Sequence, residues 1–306
     1  MERLRLFNTE ANYNSAKTSF EYPTVAYVKE SDEVKWMTIK DYYTNQYLTF
    51  EALEDGTFTL TIPTNVSTTY MTSVSYSIDN GETWTTVDNS SSTVTITTPT
   101  ISAGNKVLWK GNGKTLSIAA TLNKYSTFSS TGSFNISGNI MSLFYDTNFA
   151  DKVVFKTGST YNFCFLFREA MNLVSAENLI LPAMTLTDSC YLKMFFNCIG
   201  LINAPELPAT ILAQNCYDSM FYGCSGLTIA PKLPALIMKN GCYASMFDGC
   251  SNLVTAPELP AETLESSCYN TMFQDCTSLV NAPELPATTL KSHCYRYMFN
   301  GCIFLT

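Results

Sequence analysis

The sequence predicts a multidomain, mainly β protein: a small N-terminal helix plus hairpin, an Ig-like β-sandwich, and a C-terminal α/β solenoid built from 26-residue coils. Two observations carry most of this expectation. From residue 47 to about residue 122, short β-branched and aromatic runs alternate with turn signals at the close spacing of an antiparallel sandwich. From about residue 139 onward the chain repeats itself. Cys190, Cys216, Cys242, Cys268 and Cys294 follow one another at intervals of 26, each followed by Tyr, then by Met-Phe, then by a second cysteine at Cys198, Cys224, Cys250, Cys276 and Cys302. The units are therefore read as 1–46 (anchoring or assembly segment), 47–125 (sandwich spacer) and 126–306 (solenoid).

In the first unit, Asn8 and Thr9 are N-cap residue types ahead of "EANYNSAKTSF", which predicts a short helix. "TVAYVKESDEVKWM" then reads as two strands joined at the polar turn Glu30 to Glu33. So short a unit buries little apolar surface alone, so a sister chain or a larger assembly is expected to cover it.

In the second unit the expected strands are "YLTFEAL", "TFTLTI", "SVSYSI", "TWTTV", "TVTITT" and "KVLWK". One phrase, Ser77-Ile78-Asp79-Asn80-Gly81-Glu82-Thr83-Trp84, resembles the Asp box of sialidase-type propellers. In that family the box is a structural turn remote from the catalytic residues, and a propeller needs several copies. A single copy is read as a hairpin with Asp79 and Gly81 in turn positions.

In the third unit one coil reads as follows. Cys216, Tyr217, Met220 and Phe221 have the spacing of one helix face. The preceding column, Ser189, Asn215, Gly241, Ser267 and His293, is rich in N-cap types. The column before the second cysteine, Asn197, Gly223, Gly249, Asp275 and Gly301, tolerates left-handed backbone. A two-turn helix is therefore expected in each coil, followed by a brief extended piece (Leu227, Ala230, Leu233) that two prolines keep short. One coil alone buries too little to offset its chain entropy, so the coils must stack. Weaker coils around "NIMSLFYDTNF" and "FCFLFREAMNLVSAENLILPAMTL" read as an N-terminal cap. The sequence stops at Thr306 part-way through a coil, which leads to the expectation that another chain covers that end or that a natural product continues past it.

The paired cysteines lie eight apart, not two to four, and the single histidine stands in a variable column, so no metal site is expected. Eight residues across a two-turn helix are too far for a disulfide within a coil. The thiols read as reduced, buried and of raised pKa, with disulfides between neighbouring coils as the alternative.

Charged residues make up 14% of the chain, below the roughly 25% of an average globular protein, and the net charge is −8 with no Lys/Arg cluster. Nucleic acid and anionic membrane, both of which need a basic footprint, are therefore not expected partners. The N-terminus lacks the apolar core of a secretory signal, and no run reaches the length of a spanning helix.

The phrase "MFxGCxxLxxAPxLPAxxLxxxCYxxMF" resembles the BspA-like leucine-rich repeats of gut Bacteroidetes and of the phages that infect them, over about residues 160 to 306. The opening segment "LFNTEANYNSAKTSFEYPTVAYVKESDEVKW" more loosely resembles N-terminal anchoring pieces of virion proteins of Bacteroides phages. The resemblance implies a leucine-rich-repeat rod that is not an enzyme, with no catalytic residue, metal or cofactor. It further implies a surface attachment role, as a phage head or tail fibre or decoration protein on the virion surface. A bacterial cell-surface or secreted adhesin and a purely structural decoration protein are the alternatives; a sialidase-type enzyme is disfavoured. Expected partners are other virion or surface proteins through residues 1–46, a host-surface protein or glycan through the repeat face, and further copies in a homo-oligomer. The columns expected to carry recognition are Asn203, Ile229, Thr255 and Asn281, and the row Glu206, Lys232, Glu258 and Glu284.

Overall fold

The computed structural model describes residues 46–63, 73–88, 93–112, 125–155 and 159–306, together with the backbone of three strands nearer the N-terminus. Those three, β1 (Arg3–Phe7), β2 (Thr24–Val28) and β3 (Glu33–Met37), form one sheet. The expected hairpin is present as the antiparallel β2–β3 pair, and β1 joins β2 in parallel, which the sequence reading did not anticipate. The expected helix over residues 10–20 lies outside the described residues, as does the turn at Glu30.

All six expected strands of the second unit form: β4 (Leu48–Ala52), β5 (Phe58–Ile62), β6 (Ser73–Ser77), β7 (Thr85–Asp88), β8 (Val94–Thr97) and β9 (Lys106–Lys110). Two more follow, β10 (Thr127–Ser130) and β11 (Phe134–Asn139), and β12 (Leu173–Ile180) comes later. They make two open sheets, β10-β5-β8 and β12-β11-β4-β9-β6-β7. Alternation along β5, with Phe58, Leu60 and Ile62 buried between half-exposed threonines, aims one face inward. The sheets meet through aromatic rings: Phe50 lies 5.3 Å from Phe58 and 4.8 Å from Phe128, and Trp109 lies 5.0 Å from Phe128. Strands β10 and β11 fall beyond residue 125 in sequence, yet each completes one of these sheets.

Strand β11 pairs antiparallel with β4 on one side and parallel with β12 on the other. Since β12 already belongs to the first repeat coil, the six-stranded sheet runs on into the repeats. A single apolar core extends from Leu48 to Met298. A 3-10 turn, Ile140–Leu143, is the one helical element among the described residues; its Ser142 hydroxyl accepts from Leu48 N–H and donates to the Trp109 carbonyl.

The coils contain no α-helix. From Ser189 to Cys198 the backbone is a ribbon of turns, with left-handed φ at Ser189, Lys193 and Asn197. The same three columns are left-handed in every later coil: Asn215, Ser219 and Gly223; Gly241, Ser245 and Gly249; Ser267, Thr271 and Asp275; His293, Tyr297 and Gly301. The Ser189 column is thus a left-handed position rather than an N-cap. The column ending at Gly301 is left-handed as the sequence indicated.

Hydrogen bonding explains why the ribbon replaces the helix. The N–H groups of Leu192, Met194, Phe196 and Cys198 donate to carbonyls three residues back, whereas those of Ser189, Tyr191, Lys193, Phe195 and Asn197 donate to Gln214, Cys216, Asp218, Met220 and Tyr222 of the next coil. Every N–H in the run is used. A two-turn helix packed in the stack would instead strand its first four N–H and last four C=O groups, and so short a helix is marginal on its own.

Parallel stacking places like residues above like. Tyr191, Tyr217, Tyr243, Tyr269 and Tyr295 stack with ring centroids 5.6, 5.7, 6.1 and 5.9 Å apart. A second ladder runs from Phe128 of the two-sheet unit through Phe167, Phe195, Phe221, Phe247 and Phe273 to Phe299. These spacings sit slightly above the roughly 4.8 Å of neighbouring strands, as offset stacking requires.

Candidate recognition face

After each ribbon the chain turns outward at a single bridge residue and then passes through its proline segment. Ser175, Asn203, Ile229, Thr255 and Asn281 form one parallel ladder, a single residue wide. The buried leucines on either side, Leu201 and Leu207 in one coil and Leu227 and Leu233 in the next, anchor it. Asn203, Ile229, Thr255 and Asn281 are consequently all exposed, and so are Glu206, Lys232, Glu258 and Glu284 three residues further on.

The structure brings four of the eight together. Asn203, Glu206, Ile229 and Lys232, with Glu177, line a groove of about 520 Å³ whose floor is Pro205, Leu207, Ala230 and Pro231. Thr255, Glu258, Asn281 and Glu284 continue the same columns but do not line it. Lys232 interrupts an otherwise acidic row and makes no ion pair among the described residues.

A second ladder was not anticipated. Val154, Thr185, Ile211 and Ile237 are bridged in series, and Thr263 bridges Thr289. Beside it Leu236, Ile237, Pro260, Glu262 and Thr263 border a recess of about 410 Å³. A usable signal was in the sequence: the column Ile211, Ile237, Thr263, Thr289 mixes aliphatic and polar residues, as exposed columns do.

The cysteines are all free, ten of them buried and Cys302 half-buried. All five thiols of the second ladder donate to the carbonyl of the preceding coil's phenylalanine: Cys198 to Phe167 at 2.9 Å, Cys224 to Phe195 at 3.0 Å, Cys250 to Phe221 at 3.1 Å, Cys276 to Phe247 at 3.0 Å and Cys302 to Phe273 at 3.0 Å. Cysteine therefore serves there as a small apolar side chain that also offers a weak donor. Burial pushes the Cys190 and Cys268 thiols up to about 12, and it raises Cys198, Cys216 and Cys250 as well. Such thiols are poor nucleophiles at neutral pH.

The Asp-box phrase is a braced hairpin turn. The Asp79 carboxylate accepts from the Thr83 hydroxyl and N–H and from the Ser77 hydroxyl, Ser77 Oγ accepts from Gly81 N–H, and the Trp84 indole donates to the Gly81 carbonyl. The Thr83 and Ser77 hydrogen bonds hold the Asp79 carboxyl down to about 2. Asn80 and Gly81 carry the positive φ that this turn requires.

Among the described residues no three His, Cys, Asp or Glu side chains converge as a metal site needs, and no helix is long and apolar enough to cross a membrane. No family model matches the chain, and no curated protein or solved structure is similar to it.

Proposed function

We propose that this chain is a non-enzymatic attachment protein: a leucine-rich-repeat solenoid, carried on an Ig-like spacer and an N-terminal anchoring unit, that presents its exposed ladder columns to a host-surface protein or glycan. On this reading it sits on a virion surface as a fibre or decoration protein, associates with other virion proteins through residues 1–46, and forms homo-oligomers. The observation that carries the reading is the division of labour within each coil. From Cys190 to Leu279 the constant letters (Cys, Tyr, Met, Phe, Leu) are buried, while the varying letters Asn203, Glu206, Ile229 and Lys232 are exposed and border a groove. Variation confined to the surface of a rigid stack is what a recognition rod needs.

Binding of the full chain to host cells and to an array of glycans tests this. Saturable binding is expected, and its absence on every surface would remove the recognition role. A structural decoration protein is the second reading, favoured by the stacking surface that continues through the molecule. Electron microscopy of a native particle separates the two, since a repeat face packed against neighbours leaves no room for a receptor. The Asp box supports no sialidase activity, because Asp79 is committed to its own turn.

A further inference from the structure

We infer that the coil beginning at Cys216 carries the specificity of this face: its segment Ile229 to Ile237 receives an extended, aliphatic stretch of a partner polypeptide that bears a carboxylate. The inference rests on the recognition reading above and names its partner class. The repeats supply their own control, because each exposed column can be compared across coils whose buried columns are the same. At the column of Ile229 the other coils carry Asn203, Thr255 and Asn281; at Lys232 they carry Glu206, Glu258 and Glu284; at Leu236 they carry Thr210, Glu262 and Thr288. The coil beginning at Cys216 departs in all three, toward aliphatic and cationic character. Ile237, one residue on, stays aliphatic where the next two coils carry Thr263 and Thr289.

The departures are exposed rather than absorbed into the core. Ile229, Leu236 and Ile237 are 71%, 63% and 69% accessible, so three large aliphatic side chains face water within nine residues. The groove and the recess described above both border this segment, one at Ile229 to Pro234 and the other at Leu236 to Met238.

Charge and shape then select the partner. The one ammonium of the row, on Lys232, has no ion-pair partner among the described residues and lies between the Glu206 and Glu258 positions of the adjacent coils. A polyanion such as a nucleic acid or sulfated glycan would meet carboxylates on both sides of its single cationic contact. A segment with a single carboxylate sets one anion over the ammonium and keeps the rest of its length uncharged beside Glu177, Glu206 and Glu258. Neither recess is lined by Phe, Tyr or Trp, the flat rings on which sugar faces stack; the lining is aliphatic and prolyl, with Glu177 and Glu206 beside Lys232 in one and Glu262 and Glu265 in the other. Pro231 and Pro234 lack N–H donors, so the partner cannot add as a further strand along this segment and must be held by its side chains.

The test is selection of a displayed random peptide library on the full chain, followed by anisotropy titration of the enriched peptides. Two variants borrow residues from neighbouring coils at exposed positions, so they keep the fold: Lys232→Glu and the triple Ile229→Thr/Leu236→Thr/Ile237→Thr; Ser102→Ala, exposed on the two-sheet unit, is the control, and each is checked for an unchanged melting transition. Enriched peptides are expected to combine aliphatic residues with Asp or Glu. Lys232→Glu and the triple variant are each expected to weaken binding about tenfold or more, with Ser102→Ala without effect. Enrichment of basic or purely aromatic peptides, equal binding by Lys232→Glu, or no enrichment at all would overturn the inference. If the triple variant attached to host cells as well as the parent chain, this inference would fall while the attachment reading stood. If the parent attached to no host surface, the attachment reading itself would fall.

Discussion

The side-chain oxygen of Asn197 occupies the space where a β-carbon on Gly223 would stand, one coil above it in the stack. The same relationship recurs between Asn215 and Gly241 and between Asp275 and Gly301. The glycines of these columns are thus set by two causes: left-handed φ, and the amide or carboxylate of the coil below. Gly249 is the informative exception, because its lower neighbour is Gly223 and an added β-carbon would make only ordinary contact there at 3.4 Å. Gly249→Ala should therefore cost only the left-handed strain, about 1–2 kcal/mol, and Gly223→Ala should cost distinctly more. Adding Asn197→Gly to Gly223→Ala should remove the excess. Urea unfolding of the singles and the double measures it, and equal losses for the two glycines would refute the steric half of the account.

Tyr191 begins the tyrosine ladder with its hydroxyl buried and without a hydrogen-bond partner. Its neighbour one coil earlier is already Phe163, stacked at 6.0 Å. Tyr191→Phe is expected to stabilise the protein by about 1 kcal/mol by relieving an unpaired buried hydroxyl. A lowered melting temperature would show that the hydroxyl has a partner.

Because ten of the eleven thiols are buried and only Cys302 is partly exposed, a colourless disulfide reagent should modify at most Cys302 in the native protein at mildly alkaline pH, and all eleven cysteines after denaturation. Removing reductant should leave the melting temperature unchanged. Rapid native modification of several thiols would contradict the packing of the two cysteine columns.

Burial, with the nearby Asp275 carboxylate, raises the Asp248 carboxyl from its ordinary value to about 6. The native state therefore binds this proton more tightly than the unfolded chain does, so the contribution of Asp248 to stability falls as pH rises from about 4 to about 6 and stays low above that. Asp248→Asn should stabilise the protein at pH 7 and flatten the stability profile between pH 4 and 6, as read by melting temperature across buffers. A profile identical to that of the parent would exclude Asp248 as its source.

Much of the architecture was legible in the residues. The six strand runs from Leu48 to Lys110 alternate and are punctuated by Asp-Gly and Asn-Gly turns, and local chemistry sufficed to place them. The burial of Cys, Tyr, Met, Phe and Leu from Cys190 to Leu279 followed from their constancy alone. The exposed columns of Asn203 and Glu206 could be listed for the same reason, as positions that vary. What the residues did not disclose was which columns share a recess, since Asn203 and Lys232 lie 29 apart in sequence and meet only through the coil pitch. The second ladder through Ile211 and Ile237 shared that signal, a column that mixes aliphatic residues with threonine, but its bridges exist only once the coils stack.

The sequence by itself determined the period of the stack, the identity of its buried letters and the left-handed stop at Asn197, Gly223, Gly249, Asp275 and Gly301, because these depend on side-chain size, polarity and φ tolerance. Tertiary structure alone decided that Cys190 to Cys198 would be a turn ribbon rather than a helix. Spacing on one face is common to both, and the choice lay with backbone groups one coil apart: Tyr191 N–H finds the Cys216 carbonyl at 3.0 Å, a partner that exists only once the next coil is in place.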